Sequence, residues 1–191
     1  LVEKQLAKQG AVATITHAII GRPVNFQGIG GEESNRQAES ILTLAAKRAG
    51  FVDVDFLFEP LAAGMDYEAT LTDNKTVLVV DVGGGTSEIA IISLNGVVYR
   101  DSIRIGGDRF DESIVSYVRR KYGSLIGDST AERIKQEIGC ARKSDELREI
   151  DVRGRHLAEG VPRSFTLTND EILGALEEPL EAMLRSVKLA L

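Results

Sequence analysis

The chain has 191 residues, of which 43% are hydrophobic and 27% are charged, and its net charge is −6. This composition is ordinary for a globular protein of one large or two small domains. The acidic balance argues against nucleic acid as the main partner, because phosphate backbones favour basic surfaces. The single cysteine, Cys140, cannot form an internal disulfide and favours a reducing cytoplasm. No apolar run reaches the length of a membrane span, so membrane association is not visible.

The N-terminal part of the chain has the pattern strand, helix, strand, helix, which is typical of an α/β layer. An apolar run at 17–21 predicts a buried strand. A helix is expected from Ser34, as its cap, to Gly50, as its stop. Its apolar stripe would consist of Ile41, Leu44, Ala45 and Ala49. Alternating apolar residues at 52–58 predict a half-buried strand, and a proline opens a second helix over 60–67.

Three apolar runs then predict an antiparallel meander. They cover Val77–Val80, Ile89–Ser93 and Val97–Arg104. Three consecutive glycines, Gly83–Gly85, make the first turn, and Asn95-Gly96 is a strong hairpin signal for the second turn. The meander would belong to a mixed sheet.

After the meander, the sequence pattern predicts several helices and two short strands. A helix follows the meander, and its apolar face consists of Phe110, Ile114, Tyr117 and Val118. Alternating apolar residues around 150–152 and 165–167 predict the strands. Two further helices begin at capping-box patterns, Ser129 with Glu132 and Thr168 with Glu171. Pro179 is expected to end the last of these helices, and Leu180 to begin another.

These elements suggest four stretches. Residues 1–74 would form part of a first α/β lobe, with a boundary at the polar segment 73–75. Residues 75–112 would form the meander of a second lobe, and 113–175 a small α+β subdomain. Residues 176–191 would begin a return helix. Because the chain starts at Leu1 and stops inside a helical pattern, we expect it to be an excerpt from a longer protein.

The segment Asp81 to Thr86 has the chemistry of a phosphate site. Consecutive glycines let a backbone approach a ligand closely, and their N–H groups can converge on phosphate oxygens. Asp81, at the end of a strand, could hold Mg²⁺ through water, and the hydroxyl of Thr86 could position a water molecule. A strand rather than a helix follows, and no Walker lysine is present, so neither a Rossmann site nor a P-loop fits. A glycine-rich hairpin that binds nothing remains the alternative.

Three other short segments carry candidate residues. Glu59 precedes a proline at a strand end, where it would be held rigidly; it could instead be a residue that simply suits a helix N-terminus. Gly107 lies in a glycine turn before a helix, which could be a plain strand-to-helix connection. Glu132 and Lys135 share a helical face, which could equally be a surface ion pair.

Taken in chain order, these segments resemble the actin-like ATPase superfamily. Residues 79–86 are similar to its second phosphate loop, and 59–63 to the segment upstream of that loop. Residues 106–111 are similar to the turn that enters the nucleotide cleft, and 132–135 to the helix that lines the adenosine. The resemblance implies an α/β, ribonuclease H-like fold with an antiparallel meander in a mixed sheet and a small α+β subdomain.

Two families within the superfamily are suggested. Residues 88–191 resemble MreB, the bacterial actin family of rod-shape determination. This likeness is carried by 93–99, 104–112, 122–127 and 157–163. The segment 17–70 looks instead like a divergent relative of the seventy-kilodalton heat-shock chaperones, on the strength of Ile20 to Gly28 and Tyr67 to Thr70. A chimera or an unusual homologue would explain the difference.

The resemblance implies that ATP and Mg²⁺ bind between two lobes of the complete protein. Glu59 would orient the attacking water, helped by Thr86, and Asp81 would lie near the metal. The β- and γ-phosphates would be held by Gly83, Gly84 and Gly85. The adenosine would be faced by Gly107, Glu132 and Lys135. The family's first phosphate loop and its late adenosine turn are missing, so weak ATP binding and no ATPase activity are expected of this stretch alone.

Three functions stay open at this point. The first is a cytoplasmic, cell-shape cytoskeletal ATPase that self-associates into filaments, which the likeness of 113–170 to the small MreB subdomain favours. The second is a chaperone-like ATPase. The third is an inert fragment or chimera.

Overall fold

The structure is a computed structural model that describes residues 16–23, 26, 31–68, 76–93 and 96–191. The chain divides into two compact units, Leu1–Val79 with Ala90–Ser102, and Val80–Ile89 with Ile103–Leu191. The four stretches expected from the sequence stay a prediction, and the expected boundary at 73–75 lies outside the described residues. Across the described ranges, no helix is both long and apolar enough to cross a membrane.

The first unit contains the expected strand, helix, strand, helix order. Strand β1 (His17–Arg22) pairs in parallel with β2 (Asp53–Phe58), with His17 opposite Asp53 and Arg22 opposite Phe58. Helix α1 (Gly31–Arg48) connects the two strands, because parallel neighbours need a long crossover. Helix α2 (Glu59–Glu68) follows β2 without a loop. The carboxyl ends of both strands therefore lie at the edge where α2 begins.

Helix α1 differs from expectation in its start and in its buried face. It begins at Gly31, three residues before the expected cap Ser34. Ile41 and Leu44 were expected in its apolar stripe, but they are 67% and 52% exposed, whereas Ala46 is buried. Apolar residues occupy nearly every position from 41 to 46, so periodicity alone does not select a face. Packing against β2 selects it instead.

The meander forms a three-stranded sheet in the order β3-β4-β5. Strands β3 (Val77–Val82), β4 (Ser87–Ser93) and β5 (Gly96–Ile103) follow each other closely in the chain. Parallel strands need a crossover of a dozen residues, so these short connections make the strands antiparallel, as expected. The middle strand is the most buried, with Ile89 fully buried. Residues 94–95 of the second expected turn lie outside the described part.

The second unit is completed by helices packed on a small antiparallel sheet. It contains α3 (Gly107–Tyr122), β6 (Ser124–Leu125), α4 (Asp128–Ile138), β7 (Glu149–His156), β8 (Pro162–Thr168) and α5 (Asn169–Ala190). The sheet order is β6-β7-β8. One cluster of buried side chains from these elements forms the core: Ile114, Val118, Ile126, Ala131, Ile134, Ile138, Ile150, Val152, Leu167, Ile172 and Leu176. The expected core face of α3 is confirmed.

Two expectations about helix ends in this unit are wrong. The pair Ser129 and Glu132 does not cap α4, which begins at Asp128 with Gly127 as its N-cap and no side-chain capping bond. Pro179 does not end a helix either, because α5 continues through it. A proline there removes one backbone hydrogen bond, but Pro179 is itself buried, and Leu176, less than one turn before it, belongs to the core.

The capping box at the start of α5 is confirmed and forms part of a larger network around Glu171. One carboxylate oxygen accepts hydrogen bonds from the hydroxyls of Tyr117, at 3.0 Å, and Tyr122, at 2.8 Å, and contacts the ammonium of Lys121. The other oxygen accepts the backbone N–H of Thr168 at 2.9 Å. Burial alone would raise the pKa of Glu171, but these donors outweigh it and lower the pKa to about 2.

The network makes the second unit sensitive to acid. The folded pKa of Glu171 is depressed, so its contribution to stability is present above the ordinary pKa of 4.5 and is lost as the pH falls toward 2. Glu171→Gln should lower the free energy of unfolding by on the order of 2 kcal/mol at neutral pH. Urea unfolding between pH 7 and pH 3 measures this difference. The exposed Glu137→Gln provides the control, and a difference for Glu171→Gln that did not shrink with acid would contradict the prediction.

Close packing of α2 against β4 gives a second prediction. A Cβ atom added to Gly64 would overlap Cδ1 of Ile92, which is 1% exposed and has little room to move. Gly64→Ala should therefore cost about 1–3 kcal/mol of stability by overpacking, despite a gain of about 1 kcal/mol in helix propensity. Gly174→Ala, in open space on α5, should keep only the gain. Urea unfolding of both variants tests this, and equal stabilisation would show that Ile92 yields freely.

Candidate functional site

The glycine turn, Gly83 to Thr86, connects β3 to β4 in the second unit. It is closed by the N–H of Gly83, which donates to the carbonyl of Thr86 at 2.9 Å. Gly83 and Gly84 are exposed, and Gly85 and Thr86 are half-buried. Positive φ occurs among the described glycines at Gly50, Gly123 and Gly160, and not in this turn. A left-handed backbone is therefore not the reason for glycine in this turn, whereas an added Cβ on Gly83 would lie only 3.3 Å from the carbonyl oxygen of Thr86.

A second turn, Gly106 to Asp108, lies directly against the glycine turn at the start of α3; we call it the helix-entry turn. The N–H of Gly107 donates to the carbonyl of Gly83 at 2.9 Å, and the N–H of Asp108 donates to the carbonyl of Gly84 at 2.8 Å. We call this pair of bonds the backbone latch. Sequence reasoning identified both glycine segments but not their direct contact.

A side chain at the base of the two turns strengthens the latch. Ser87, the first residue of β4, is fully buried, and its hydroxyl donates to the carbonyl of Ile105 at 2.6 Å. This bond joins the residue after the glycine turn to the residue before the helix-entry turn. The two turns are therefore joined by three hydrogen bonds, two between their backbones and one from the side chain of Ser87.

The latch determines where the amides of the glycine turn point. In a planar trans peptide the carbonyl and the following N–H point in opposite directions. Because the carbonyls of Gly83 and Gly84 point to the helix-entry turn, the N–H groups of Gly84 and Gly85 point away from it. Neither N–H donates a hydrogen bond to another described residue. Two adjacent amides thus point away from the helix-entry turn, and both N–H groups can donate hydrogen bonds to one anionic ligand.

Lys135 connects α4 to the helix-entry turn. Its ammonium donates to the carbonyl of Gly107 at 3.1 Å and to Oδ2 of Asp111 at 2.9 Å. The side chains of Lys135 and Asp111 are 24% and 15% exposed, so the pair is partly shielded from water. Glu132 lies one turn earlier on α4, is exposed, and accepts a hydrogen bond from Gln136 at 3.3 Å. The structure brings Lys135 and Gly107 together and leaves the Glu132 carboxylate facing solvent.

Asp81 also belongs to the second unit. It lies near the end of β3, two residues before the glycine turn, and it is exposed. Asp108 adds a carboxylate close to Gly84, since an added Cβ on that glycine would lie 3.4 Å from Oδ1 of Asp108. Over the part of the chain that is described, no three His, Cys, Asp or Glu residues gather closely enough to hold a metal by themselves.

Glu59 lies in the first unit, at the start of α2 and beyond the carboxyl ends of the parallel strands. Gly21 of β1 lies beside it, because an added Cβ there would be 3.5 Å from Cγ of Glu59. The side chain of Glu59 therefore lies beside the carboxyl end of β1. Ligands bind preferentially outside the carboxyl ends of such strands, so this position suits a residue that acts on a ligand.

Sequence reasoning missed a charged cluster next to Glu59. Arg22, the last residue of β1, is 9% exposed and lies 2.9 Å from Oε1 of Glu39 on α1. Its guanidinium also stacks 4.4 Å from the ring centre of Phe58, whose ring is 4.4 Å from the guanidinium of Arg100 as well. The signal in the sequence that could have revealed this cluster is the arginine at the end of the apolar run 18–21. The cluster ties β1, α1 and β5 together within the first unit.

Comparison with known proteins agrees with these observations. The sequence model of the MreB/Mbl protein family matches residues 4–191. The cell shape-determining protein MreB of Escherichia coli K12 is 55% identical over 163 residues, covering 85% of this chain and 46% of that protein. Mbl of Bacillus subtilis is 35% identical over 144 residues, covering 75% of this chain and 43% of that protein. The chain thus spans about half the length of the curated relatives it matches.

Solved structures give the same result. MreB5 of Spiroplasma citri bound to AMPPNP superposes with a TM-score of 0.78 at 27% identity, over 90% of this chain and 49% of that one. A MamK double helical filament superposes at 0.66 with 17% identity over 97% of this chain and 53% of that one, which supports the fold alone. The family match includes the segment 17–70, and nothing in the comparisons shows a chaperone-like part or a chimera. The chain has the actin-like fold and belongs to the MreB/Mbl family.

Proposed function

We propose that this chain forms part of an ATP-binding, actin-like cytoskeletal protein that determines cell shape. The observation that carries the proposal is the glycine turn, which points two adjacent backbone N–H groups outward from an exposed loop. Support comes from the similarity to MreB5 of Spiroplasma citri, whose structures hold AMPPNP and ADP. Since ATP is a cytoplasmic nucleotide, the proposal also places the protein in the cytoplasm.

The glycine turn would bind the β- and γ-phosphates. The amides of Gly84 and Gly85 present partial positive charge without side chains in the way, so they suit the oxygens of a phosphate chain. Gly83 closes the turn through its bond to Thr86 and therefore shapes the loop and does not donate to the ligand itself. Catalysis at such a site depends mainly on positioning and on charge stabilisation.

A Mg²⁺ ion fits the acidic groups beside the turn. Magnesium retains several waters and is commonly bound through one or two carboxylates together with substrate phosphates. Asp81 and Asp108 are exposed carboxylates at either side of the glycine turn in the chain, and they form no closed cage. When bound, the ion would neutralise phosphate charge, with Asp81 holding it through water. The carboxylates would otherwise repel the phosphates.

Glu59 and Thr86 would position the attacking water, with Glu59 as the polarising group. On the adenosine side, Gly107, Glu132 and Lys135 would face the nucleoside. The ammonium of Lys135 is already bonded to Gly107 and Asp111. Lys135 would therefore hold the helix-entry turn in place and offer its aliphatic stem to the nucleoside. The carboxylate of Glu132 faces solvent and would bind a ribose hydroxyl or the base.

The complete protein would self-associate into filaments that respond to nucleotide. Membership of the MreB/Mbl family, whose curated relatives are named as cell shape-determining proteins, supports this part of the proposal. Sedimentation of the full-length gene product with and without ATP is the direct test. A protein that stayed in the supernatant under both conditions, while binding ATP, would separate nucleotide binding from assembly.

Glu59→Ala should slow ATP hydrolysis by the full-length gene product about 10²-fold or more while nucleotide affinity stays unchanged, because the carboxylate acts on water and not on phosphate. Phosphate release and calorimetric titration with Mg·ATP measure the two quantities. Glu33→Ala, which removes an exposed carboxylate on α1, is the matched control. An equal loss of hydrolysis and of affinity would make Glu59 a structural residue.

Asp81→Ala should weaken nucleotide binding only when Mg²⁺ is present, since its carboxylate would act through the metal. Calorimetric titrations with ATP in Mg²⁺ and in EDTA give the comparison, and Asp145→Ala, an exposed carboxylate in a loop of the same unit, is the control. An equal loss of affinity in both buffers would argue that Asp81 supports the loop and not the ion.

A further inference from the structure

We propose that Gly106 is a positioning residue for phosphate binding, because its lack of a side chain permits the backbone latch that orients the amides of Gly84 and Gly85. This inference rests on the proposed function and assigns a role to a glycine that itself touches no ligand. The ligand chemistry is the anionic phosphate chain of a nucleotide.

The backbone of Gly106 packs directly against the glycine turn. A Cβ atom added to it would lie 2.5 Å from the carbonyl oxygen of Gly84 and 2.8 Å from the carbonyl carbon, and would also overlap the oxygen of Gly83. Real Cβ atoms essentially never come within 3.0 Å of such atoms. The obstacles are backbone atoms, so no side-chain rotation can relieve the overlap.

The backbone conformation itself does not require glycine at this position. Gly106 has φ −157° and ψ −160°, an extended conformation that any residue adopts. The requirement for glycine is therefore entirely one of space. An alanine would fold locally as well as glycine, but it would force the helix-entry turn and the glycine turn apart.

The helix-entry turn has little freedom to move away. Its carbonyl at Gly107 accepts from Lys135, which is paired with Asp111, and its base is joined through Ser87 to the glycine turn. The strain from an added methyl group would therefore fall on the latch bonds of 2.8 and 2.9 Å. Once those bonds break, the carbonyls of Gly83 and Gly84 are released and their peptides can rotate.

If the peptides after Gly83 and Gly84 are free to rotate, nucleotide affinity falls, because glycine has more backbone conformations to lose on binding than any other residue. With the latch intact, the two N–H groups are oriented before the ligand arrives, so binding does not have to order them. Without the latch, three consecutive glycines must be ordered on binding, and some orientations present carbonyl oxygens to the phosphate. We expect the dissociation constant for Mg·ADP to rise by at least about tenfold.

The chain contains a closely matched control. Gly127 is the N-cap of α4, as Gly106 is of α3, and its φ of −87° also suits any residue. An added Cβ on Gly127 would meet nothing within 4 Å. Gly106→Ala and Gly127→Ala therefore make the same chemical change at the same kind of position, and only the first meets the glycine turn.

The experiment uses the full-length gene product and two measurements. Calorimetry with Mg·ADP gives the affinity, and amide hydrogen exchange without nucleotide reports on the N–H groups of Gly107 and Asp108, which donate the latch bonds. We expect Gly106→Ala to accelerate exchange at both amides and to weaken binding at least tenfold. Gly127→Ala should match the wild type in both measurements.

Several results would overturn the inference. Wild-type affinity in Gly106→Ala would do so, as would weaker binding with both amides still protected, or fast exchange with unchanged affinity. If the wild type itself bound no nucleotide, the proposed function would fail and this inference with it. If Gly106→Ala did not fold, Asp111→Ala would carry the test. It removes the carboxylate oxygens that accept from Lys135, and it should accelerate exchange and weaken binding severalfold; no change in either would contradict the latch.

Discussion

The conformation of the glycine turn depends on its close approach to the helix-entry turn. A turn of glycines at the end of a hairpin would by itself be a flexible loop, since each glycine loses much conformational freedom on ordering. Two hydrogen bonds from the helix-entry turn to the carbonyls of Gly83 and Gly84 remove that freedom. They also turn the next two amides outward. A single steric condition, the absence of a side chain at Gly106, underlies both effects.

The packing around this contact explains how α3 and α4 support it. Buried Ile114 and Val118 of α3 pack in one core with Ile134 and Ile138 of α4. That core places Lys135, on the edge of α4, within reach of Gly107 and Asp111. A partly buried ion pair is weak evidence for stability on its own. Its value here lies in placement, because it connects the helical core to the backbone that shapes the glycine turn.

The first unit places a carboxylate, Glu59, at the edge of its parallel strands. Its two parallel strands end at one edge, where the start of α2 places Glu59. Gly21 of β1 lies beside that side chain, and Gly64 lets α2 approach Ile92 closely. Nearby, the guanidinium of Arg22 is shielded by the ring of Phe58 and lies 2.9 Å from Oε1 of Glu39. The carboxylate of Glu59 therefore lies where both parallel strands end.

The sequence by itself determined the order of strands and helices, the glycine turn and the core face of α3, because local periodicity and turn chemistry decide these features. It did not determine the buried face of α1, where apolar residues such as Ile41 and Ala46 lie nearly all round the helix. It also misplaced the end of a helix at Pro179, since local propensity does not show that this proline is buried within a continuous α5. Only the tertiary structure decided that Gly106 meets Gly84 and that Lys135 meets Gly107. Those contacts join residues far apart in the chain, and no local pattern encodes the distance between them.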